Sequence, residues 1–166
     1  DGKDDILWRN TSTGADAIWN AGSSASQLAI INVADQTWQV AGIGDFNGDG
    51  KDDVLWRNFT SGADTIWLGA SSATQQAVGT VADQTWQIAG IADFSGDGKD
   101  DILWRNTTTG VNAIWNSGSS ATQTAIAAVA DLNWQIVGVG DYNADGKADV
   151  AWRNASTGAD AIWNGA

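Results

Sequence analysis

The sequence repeats itself every 48 residues over its whole length, and no insertion or deletion breaks this period. The segment Leu-Trp-Arg-Asn at positions 7–10 returns at 55–58 and 103–106, and as Ala-Trp-Arg-Asn at 151–154. All eleven Trp residues fall on only three positions of the repeat. A chain with such a fixed period builds one small structural unit several times and stacks the copies against each other.

Each unit is predicted to contain four short β-strands. Segments 38–43, 53–57 and 64–68, and more weakly 75–81, are rich in Val, Ile, Thr and Trp and are separated by Gly, Ser, Asn and Asp. Between the second and third segments lies Gly62, which can adopt the positive φ of a hairpin bulge and which returns at positions 14, 110 and 158. A helical repeat would need long segments of period 3.6, and the sequence has none.

Four antiparallel strands in a repeat of constant length are typical of a β-propeller blade. We therefore predict an all-β fold of four-stranded blades, about three and a half per chain, with a β-helix or an array of sandwiches as the alternative. We expect a single repeat domain over residues 1–166, divided into repeats 1–44, 45–92 and 93–140 and an incomplete repeat 141–166.

The composition excludes several classes of function. Because the chain has no Cys and no His, it cannot form disulfides, thiolate or histidine metal sites, or a Ser-His-Asp triad. The net charge is −12, and the eight basic residues lie on two positions of the repeat, so there is no basic stripe for nucleic acid. No apolar run is long enough for membrane insertion. We accordingly expect no enzymatic activity, no binding to nucleic acid and no membrane insertion.

The acidic residues point instead to a cation. All twenty are Asp, and many lie in a nine-residue loop that begins at position 45 and returns at 93 and 141. Its pattern, D-x-[DNS]-x-D-G-x-x-D, places side-chain oxygens at alternating positions of a tight loop, as in the first half of an EF-hand loop. An EF-hand itself is contradicted, because the Glu at the twelfth position is missing and the loop leads into a predicted strand. We predict Ca²⁺ rather than Mg²⁺, which retains its waters and requires octahedral geometry.

The predicted calcium ligands in each loop are four side-chain oxygens and the backbone carbonyl of a Lys. They are Asp45, Asn47, Asp49, Lys51 and Asp53, then Asp93, Ser95, Asp97, Lys99 and Asp101, and finally Asp141, Asn143, Asp145, Lys147 and Asp149. About three Ca²⁺ ions per chain follow from this count, and a partial loop of Asp1, Lys3 and Asp5 lacks its first half. Two carboxylates about 5 Å apart repel by roughly 3 kcal/mol at an effective dielectric of about 20, so ion-free loops should fray. The alternative is that these Asp residues only cap turns.

Two further residue types follow the same period. Most Trp residues are assigned to packing between blades, while Trp38, Trp86 and Trp134 are retained as candidates for stacking on a sugar ring. The Arg that follows Trp in the second strand is expected to pair with a neighbouring Asp rather than with a ligand.

An Asn residue also begins a repeated Asn-x-Ser/Thr triplet in a predicted exposed hairpin loop. The four residues are Asn10, Asn58, Asn106 and Asn154. They are candidates for glycosylation, although the same residue types also form turns without any modification.

The segment Gly-Asp-Phe-Asn-Gly-Asp-Gly-Lys-Asp-Asp-Val-Leu-Trp-Arg-Asn at residues 44–58 resembles the bacterial FG-GAP/VCBS repeat, and the resemblance covers the whole chain. It implies β-propellers of secreted or surface proteins, with calcium bound between the first and second strands of a blade. Related propellers include carbohydrate-binding lectins and the integrin α-subunit head. By this analogy the chain begins at a second strand and ends after a third, so we expect an excerpt of a longer array or copies that self-associate.

Our leading hypothesis for the function is a calcium-binding extracellular module, secreted or on the cell surface, for recognition or adhesion with carbohydrate as the preferred ligand. An extracellular location is expected because loops of this kind fill at the millimolar calcium found outside cells. The alternative is a purely structural repeat unit of a secreted or surface assembly or filament, with calcium as a structural ion.

Overall fold

Residues 2–165 are described by the structure, a computed structural model, and they form fourteen β-strands in four antiparallel sheets. The first sheet contains β1 (Ile6–Arg9), β2 (Asp16–Trp19) and β3 (Gln27–Ala29). The second contains β4 (Trp38–Gly44), β5 (Asp53–Asn58), β6 (Ala63–Trp67) and β7 (Gln75–Thr80). The third contains β8 (Trp86–Ala92), β9 (Asp101–Asn106), β10 (Asn112–Trp115) and β11 (Gln123–Ile126). The last contains β12 (Trp134–Gly140), β13 (Asp149–Asn154) and β14 (Asp160–Trp163).

In every sheet, strands that follow one another in the chain are hydrogen-bonded neighbours. The four strands predicted for residues 38–81 are confirmed as β4 to β7, with ends shifted by at most a residue. A register shift between Val40 and Gly42 bends β4, and equivalent shifts occur in β8 and β12. This meander follows from the short polar loops, which allow only antiparallel pairing of successive strands.

The hairpin between β5 and β6 depends on Gly62. Its φ is +75°, and its amide donates to the Asn58 carbonyl oxygen at 2.8 Å, which closes the turn. A Cβ at this position would lie 2.0 Å from the carbonyl oxygen of Val81, so only glycine fits. The positive φ predicted for this position is found in all four repeats.

Short 3-10 turns follow β2, β6 and β10 and were not predicted from the sequence. They comprise Asn20–Gly22, Leu68–Ala70 and Asn116–Gly118. The middle residue of each turn has a positive φ of about 50°, although it is Ala, Gly or Ser respectively. These turns matter for the Asp loops, as described below.

The hydrophobic core lies between successive sheets, which pack face to face. Phe46, Leu55 and Ile66 of the second sheet form one buried cluster with Ile102 and Trp104 of the third. The same positions one repeat later form the next cluster, which contains Phe94, Leu103, Ile114, Val150 and Trp152. Trp56, Trp104 and Trp152 are each 2% exposed or less, which places these three members of their Trp series in the core.

The sheets are ordered in a row in which β4 lies next to β8, and β8 next to β12. Within the described residues the two end sheets have three strands each, because the first has no counterpart of β4 and the last has no counterpart of β7. This agrees with the expected start at a second strand and end after a third. The described sheets do not close a ring, so the propeller and its blade number stay predictions.

Candidate functional site: the Asp-rich loops

Each complete Asp-rich loop connects the first and second strands of a sheet, the position that the family resemblance implies. The loop at 45–52 joins β4 to β5, and the loops at 93–100 and 141–148 occupy the same place in the third and fourth sheets. The loop is tight because two residues with positive φ reverse the backbone. In the first loop they are Gly48 and Gly50, at +77° and +79°, and in the third loop Ala144, at +61°, stands in place of the first glycine. Three equivalent loops therefore lie in one row along the stacked sheets.

The first Asp of the loop organises the turn. In the first loop, Oδ1 of Asp45 accepts hydrogen bonds from the amides of Gly48 and Asp49 at 2.7 and 3.1 Å, and Oδ2 accepts from Gly50 at 2.7 Å. Asp93 holds its loop in the same way, and Asp141 accepts from the amides of Asp145 and Gly146. These bonds gather several backbone donors around one carboxylate, as an Asx turn does.

The ninth residue of the loop connects it to the neighbouring structure. Asp53 is fully buried; its Oδ2 accepts from the Phe46 amide at 3.0 Å and its Oδ1 from the Gly69 amide at 2.7 Å. Asp101 and Asp149 make the equivalent pairs of bonds. The Oδ1 atom of Asp101 accepts from the Ser117 amide, and that of Asp149 accepts from the Gly165 amide. This link to the following turn was not predicted from the sequence. The only sequence feature that indicated this link is Asp5, the equivalent of Asp53 in the partial loop. Asp5 still accepts from the Ala21 amide at 2.7 Å, although the given sequence does not include the first half of that loop.

The carboxylates of a loop affect one another electrostatically. Burial raises the pKa of Asp53, the amides of Gly69 and Phe46 oppose that increase, and the negative charges of Asp45 and Asp49 raise the pKa further. Burial also raises the pKa of Asp101, with an additional contribution from Asp93. Negative charges of neighbouring carboxylates repel each other, so a ligand that neutralises them is favoured, and a cation does so most directly.

The donor set of the loops fits a hard cation, since it consists of carboxylate, amide, hydroxyl and carbonyl oxygens. Among residues 2–165, however, no three acidic side chains come together in a geometry that could hold a metal ion. The amides described above already occupy lone pairs of the carboxylates, and Asn47 and Asp49 accept from the next amides along the loop. Binding of Ca²⁺ therefore requires these side chains to turn toward a common centre.

The partial loop at the start of the chain lies partly outside the described residues, because Asp1 is not among them. Asp5 is placed at the start of the first sheet and is exposed. Asp4, its neighbour, corresponds in the repeat to Asp52 and Asp100. The structure thus places the predicted second half of this loop beside β1.

The loops of the middle sheets also contact each other. The amide of Asp100 donates to the carbonyl oxygen of Asp45 at 2.8 Å, and the Asp100 carboxylate accepts from the Asp45 amide at 2.8 Å. In the next pair of sheets, the Ala148 amide donates to the Asp93 carbonyl oxygen at 2.7 Å. The Asp loops therefore lie at the interfaces between sheets, where ordering of a loop affects how its sheets pack.

The Trp series that is the candidate for sugar binding lies at the first residues of β4, β8 and β12. Trp38, Trp86 and Trp134 are each partly buried, and each packs against a core cluster. An open cleft of about 460 Å³ lies between the third and fourth sheets. It is lined by Trp134 together with polar groups of Gln87, Gln135, Arg105 and Thr107. One member of the series thus lines a cleft together with residues that can form hydrogen bonds.

The repeated Arg pairs with Asp as predicted in three of the four sheets. Arg9 contacts Asp16 at 3.0 Å, and Arg57 contacts Asp64 at 2.8 Å in a buried ion pair. The pair of Arg153 and Asp160 is exposed. In the third sheet the partner is Asn112 instead, whose Oδ1 accepts from Arg105 at 3.1 Å, and burial lowers the pKa of that guanidinium.

The same Arg side chains stack on the Trp of the next sheet, a contact that was not predicted from the sequence. The guanidinium carbons of Arg9, Arg57 and Arg105 lie 4.9, 5.0 and 4.9 Å from the ring centres of Trp56, Trp104 and Trp152. The common 48-residue register of Arg and Trp was the available signal. These contacts identify the repeated Arg as part of the interface between sheets.

The four candidate glycosylation residues differ in their surroundings. Asn10 is exposed as expected, but Asn58, Asn106 and Asn154 are 8%, 4% and 4% exposed. Their amide nitrogens donate to neighbouring side chains, for example from Asn58 to Thr37 at 2.8 Å, while their oxygens cap the hairpin loop. The expected exposure is wrong at these three residues, because the Asn side chain turns inward to hold the hairpin.

No helix within residues 2–165 is long and apolar enough to cross a membrane.

The family model of the FG-GAP-like repeat matches the chain three times, at residues 1–56, 45–104 and 93–152. Repeats of this kind are typical of extracellular proteins. Among curated proteins, no sequence is significantly similar to this chain.

Proposed function

Since the chain belongs to the FG-GAP-like repeat family, we propose that it is a non-enzymatic, calcium-binding extracellular module for recognition or adhesion. The observation that carries the proposal is the row of three equivalent loops, each with a carboxylate at its first, fifth and ninth positions. The mutual effect of these carboxylates on the pKa of Asp53 and of Asp101 supports it, because bound Ca²⁺ would relieve that repulsion.

Calcium would act here as a structural ion. The carboxylates of Asp45, Asp49 and Asp53 would supply charge, and the oxygens of Asn47 and Lys51 would complete the shell. Three ions would bring six positive charges to a chain whose net charge is −12. Because the loops contact each other between sheets, ion binding would tighten the packing of the whole row.

Calorimetric titration of Ca²⁺ into the calcium-free chain tests this proposal. We expect about three ions per chain, and about two for the Asp45→Asn variant, which loses the organising carboxylate of one loop. Asp35→Asn is the matched control, because Asp35 is an exposed Asp outside the loops whose carboxylate accepts from the amide and hydroxyl of Thr37, and it should leave the stoichiometry unchanged. Absence of heat in the wild-type chain, or equal stoichiometry in both variants, would contradict calcium binding in the loops.

Carbohydrate is the ligand that we propose for recognition. The cleft beside Trp134 supports it, since an indole face flanked by amide and hydroxyl groups suits a sugar ring and its hydroxyls. Glycan-array binding by the calcium-loaded chain tests this proposal. Loss of a signal on Trp134→Ala, but not on Phe59→Ala, which removes an exposed aromatic from a hairpin loop, would support it. An array with no signal, or a signal that both variants keep, would contradict it.

A purely structural role in a surface assembly is the second candidate. It is favoured by the two exposed end sheets, whose faces carry the same residue positions that pack against each other inside the chain. This observation leads to a more specific inference.

A further inference from the structure

Two kinds of face meet wherever one sheet packs on the next. We name them by the residues of the interface between the second and third sheets. The Arg face consists of Phe46, Arg57 and Ile66, and the Trp face consists of Ile102, Trp104 and Trp115. In this interface the guanidinium of Arg57 covers the ring of Trp104, while the apolar side chains fill the space around them.

The last sheet presents an Arg face that no part of the described chain covers. Its residues are Tyr142, Arg153 and Ile162, which stand 96 residues after those of the second sheet. Tyr142 and Ile162 are 53% and 54% exposed, and the Arg153 side chain is 55% exposed. The equivalent Phe46 and Ile66 are 1% and 0% exposed, because the third sheet covers them.

The first sheet presents the matching Trp face. Its residues are Ile6, Trp8 and Trp19, and the two indole rings contact each other at a centroid distance of 4.8 Å. Ile6 and Trp8 are 42% and 48% exposed, whereas the equivalent Ile102 and Trp104 are 0% and 1% exposed. An exposed Trp8 backed by a second indole is a strong anchor for a complementary surface.

The backbone offers a further match. Inside the chain, the amide of Asp100 donates to the carbonyl oxygen of Asp45, and the amide of Ala148 donates to that of Asp93. The next acceptor in this series is the carbonyl oxygen of Asp141 in the last sheet. The residue equivalent to Asp100 in the first repeat is Asp4, whose amide is the matching donor. Each of these two groups lies beside one of the exposed faces.

We propose that the Arg face of the last sheet packs on the Trp face of the first sheet of a second copy of this chain. Arg153 would then cover Trp8 of the second copy, as Arg57 covers Trp104, and Tyr142 and Ile162 would pack beside Ile6. The argument for a second copy is continuity, because the two faces carry the halves of an interface that the chain already forms internally. The joint is head-to-tail, and it is independent of the proposed recognition function.

Sedimentation velocity of the chain from about 1 to 100 µM tests the proposal. We expect concentration-dependent association, and we expect Trp8→Ala and Arg153→Glu each to weaken it by about thirtyfold or more, the loss typical of an aromatic or Arg anchor. Both residues are exposed, so circular dichroism should show that the variants remain folded. Phe59→Ser is the matched control, since it removes an exposed aromatic from a hairpin loop of an internal sheet and should leave association unchanged.

Mixing the two variants provides the decisive measurement. Trp8→Ala keeps an intact Arg face, and Arg153→Glu keeps an intact Trp face, so the mixture can form one complete joint and should yield a 1:1 dimer. Neither variant should dimerise by itself at the same concentration. A monomeric wild-type chain at 100 µM, variants that associate like the wild type, or a mixture that stays monomeric would each overturn the proposal.

Discussion

The buried ion pair of Arg57 and Asp64 predicts an unusual dependence of stability on pH. The Asp64 side chain is completely buried, and burial raises its pKa to about 6, even though the charge and the hydrogen bonds of Arg57 oppose the increase. Because the unfolded chain has a pKa of 3.8 at this residue, the folded state binds the proton more tightly. The stability that Asp64 provides is therefore fully present below pH 3.8 and is lost as the pH rises through about 6.

The size of the effect follows from the two pKa values. The difference between 3.8 and about 6 corresponds to about 3 kcal/mol in the free energy of unfolding. Asp64→Asn removes the titration, and the amide can still accept from Arg57, as Asn112 accepts from Arg105 at 3.1 Å in the next sheet. We expect the variant to match the wild type at pH 4 and to exceed its stability by up to about 3 kcal/mol at pH 7.5.

Urea unfolding of both proteins at pH 4, 5, 6 and 7.5, in EDTA, measures this difference. Taking the difference between variant and wild type cancels the titration of the Asp loops. Asp160→Asn is the control, because its pair with Arg153 is exposed and its removal should change the stability by less than about 1 kcal/mol at any pH. The raised pKa of Asp64 would be contradicted if the difference in free energy of unfolding between variant and wild type did not change with pH. It would also be contradicted if that difference favoured the variant less at pH 7.5 than at pH 4.

Two further predictions concern packing and the backbone. Trp104→Ala should lower the free energy of unfolding by about 3–5 kcal/mol in urea titrations, since it leaves a cavity in the core. Trp8→Ala should lower it much less, because Trp8 is half-exposed. Equal losses at both positions would contradict the assignment of Trp104 to the core. Gly62→Ala should destabilise the chain by more than about 1–2 kcal/mol, because it adds a clash with the Val81 carbonyl to the strain of a positive φ. Gly69→Ala, where the φ is +55° and no atom lies within 4 Å of the added Cβ, should be nearly neutral, since the equivalent positions are already Ala21 and Ser117. If Gly62→Ala melts at the temperature of Gly69→Ala, the proposed clash is wrong.

Features set by local chemistry could be predicted from the sequence. The strands of the second sheet, the hairpin glycine at position 62 and the pairing of Arg57 with Asp64 all depend on residues near one another in the chain or on neighbouring strands. The Asp loops were placed correctly between strands for the same reason, because the spacing of their residues is itself local. The fixed period then extended each local prediction to the other repeats.

Features that depend on how one sheet lies on the next could not be predicted. The stacking of Arg57 on Trp104 joins different repeats, and its geometry follows from the packing of two sheets. The inward turn of Asn58 was missed because an Asn-x-Thr triplet in a hairpin has the same sequence whether the side chain faces solvent or Thr37. The link from Asp53 to the amide of Gly69 was missed because it depends on a 3-10 turn with no distinct sequence pattern.

The proposal that the Asp loops bind Ca²⁺ can be tested by a thermal melt followed by circular dichroism. The chain is melted once with excess Ca²⁺ and once with EDTA, at constant ionic strength so that screening of the net charge of −12 is the same in both. We predict a higher melting temperature with Ca²⁺, by about 10 °C or more, because an ion that binds only the folded state at well above its Kd adds several kcal/mol of stability. Equal melting temperatures would show that the Asp residues act only as turn formers, and the calcium proposal would then be wrong.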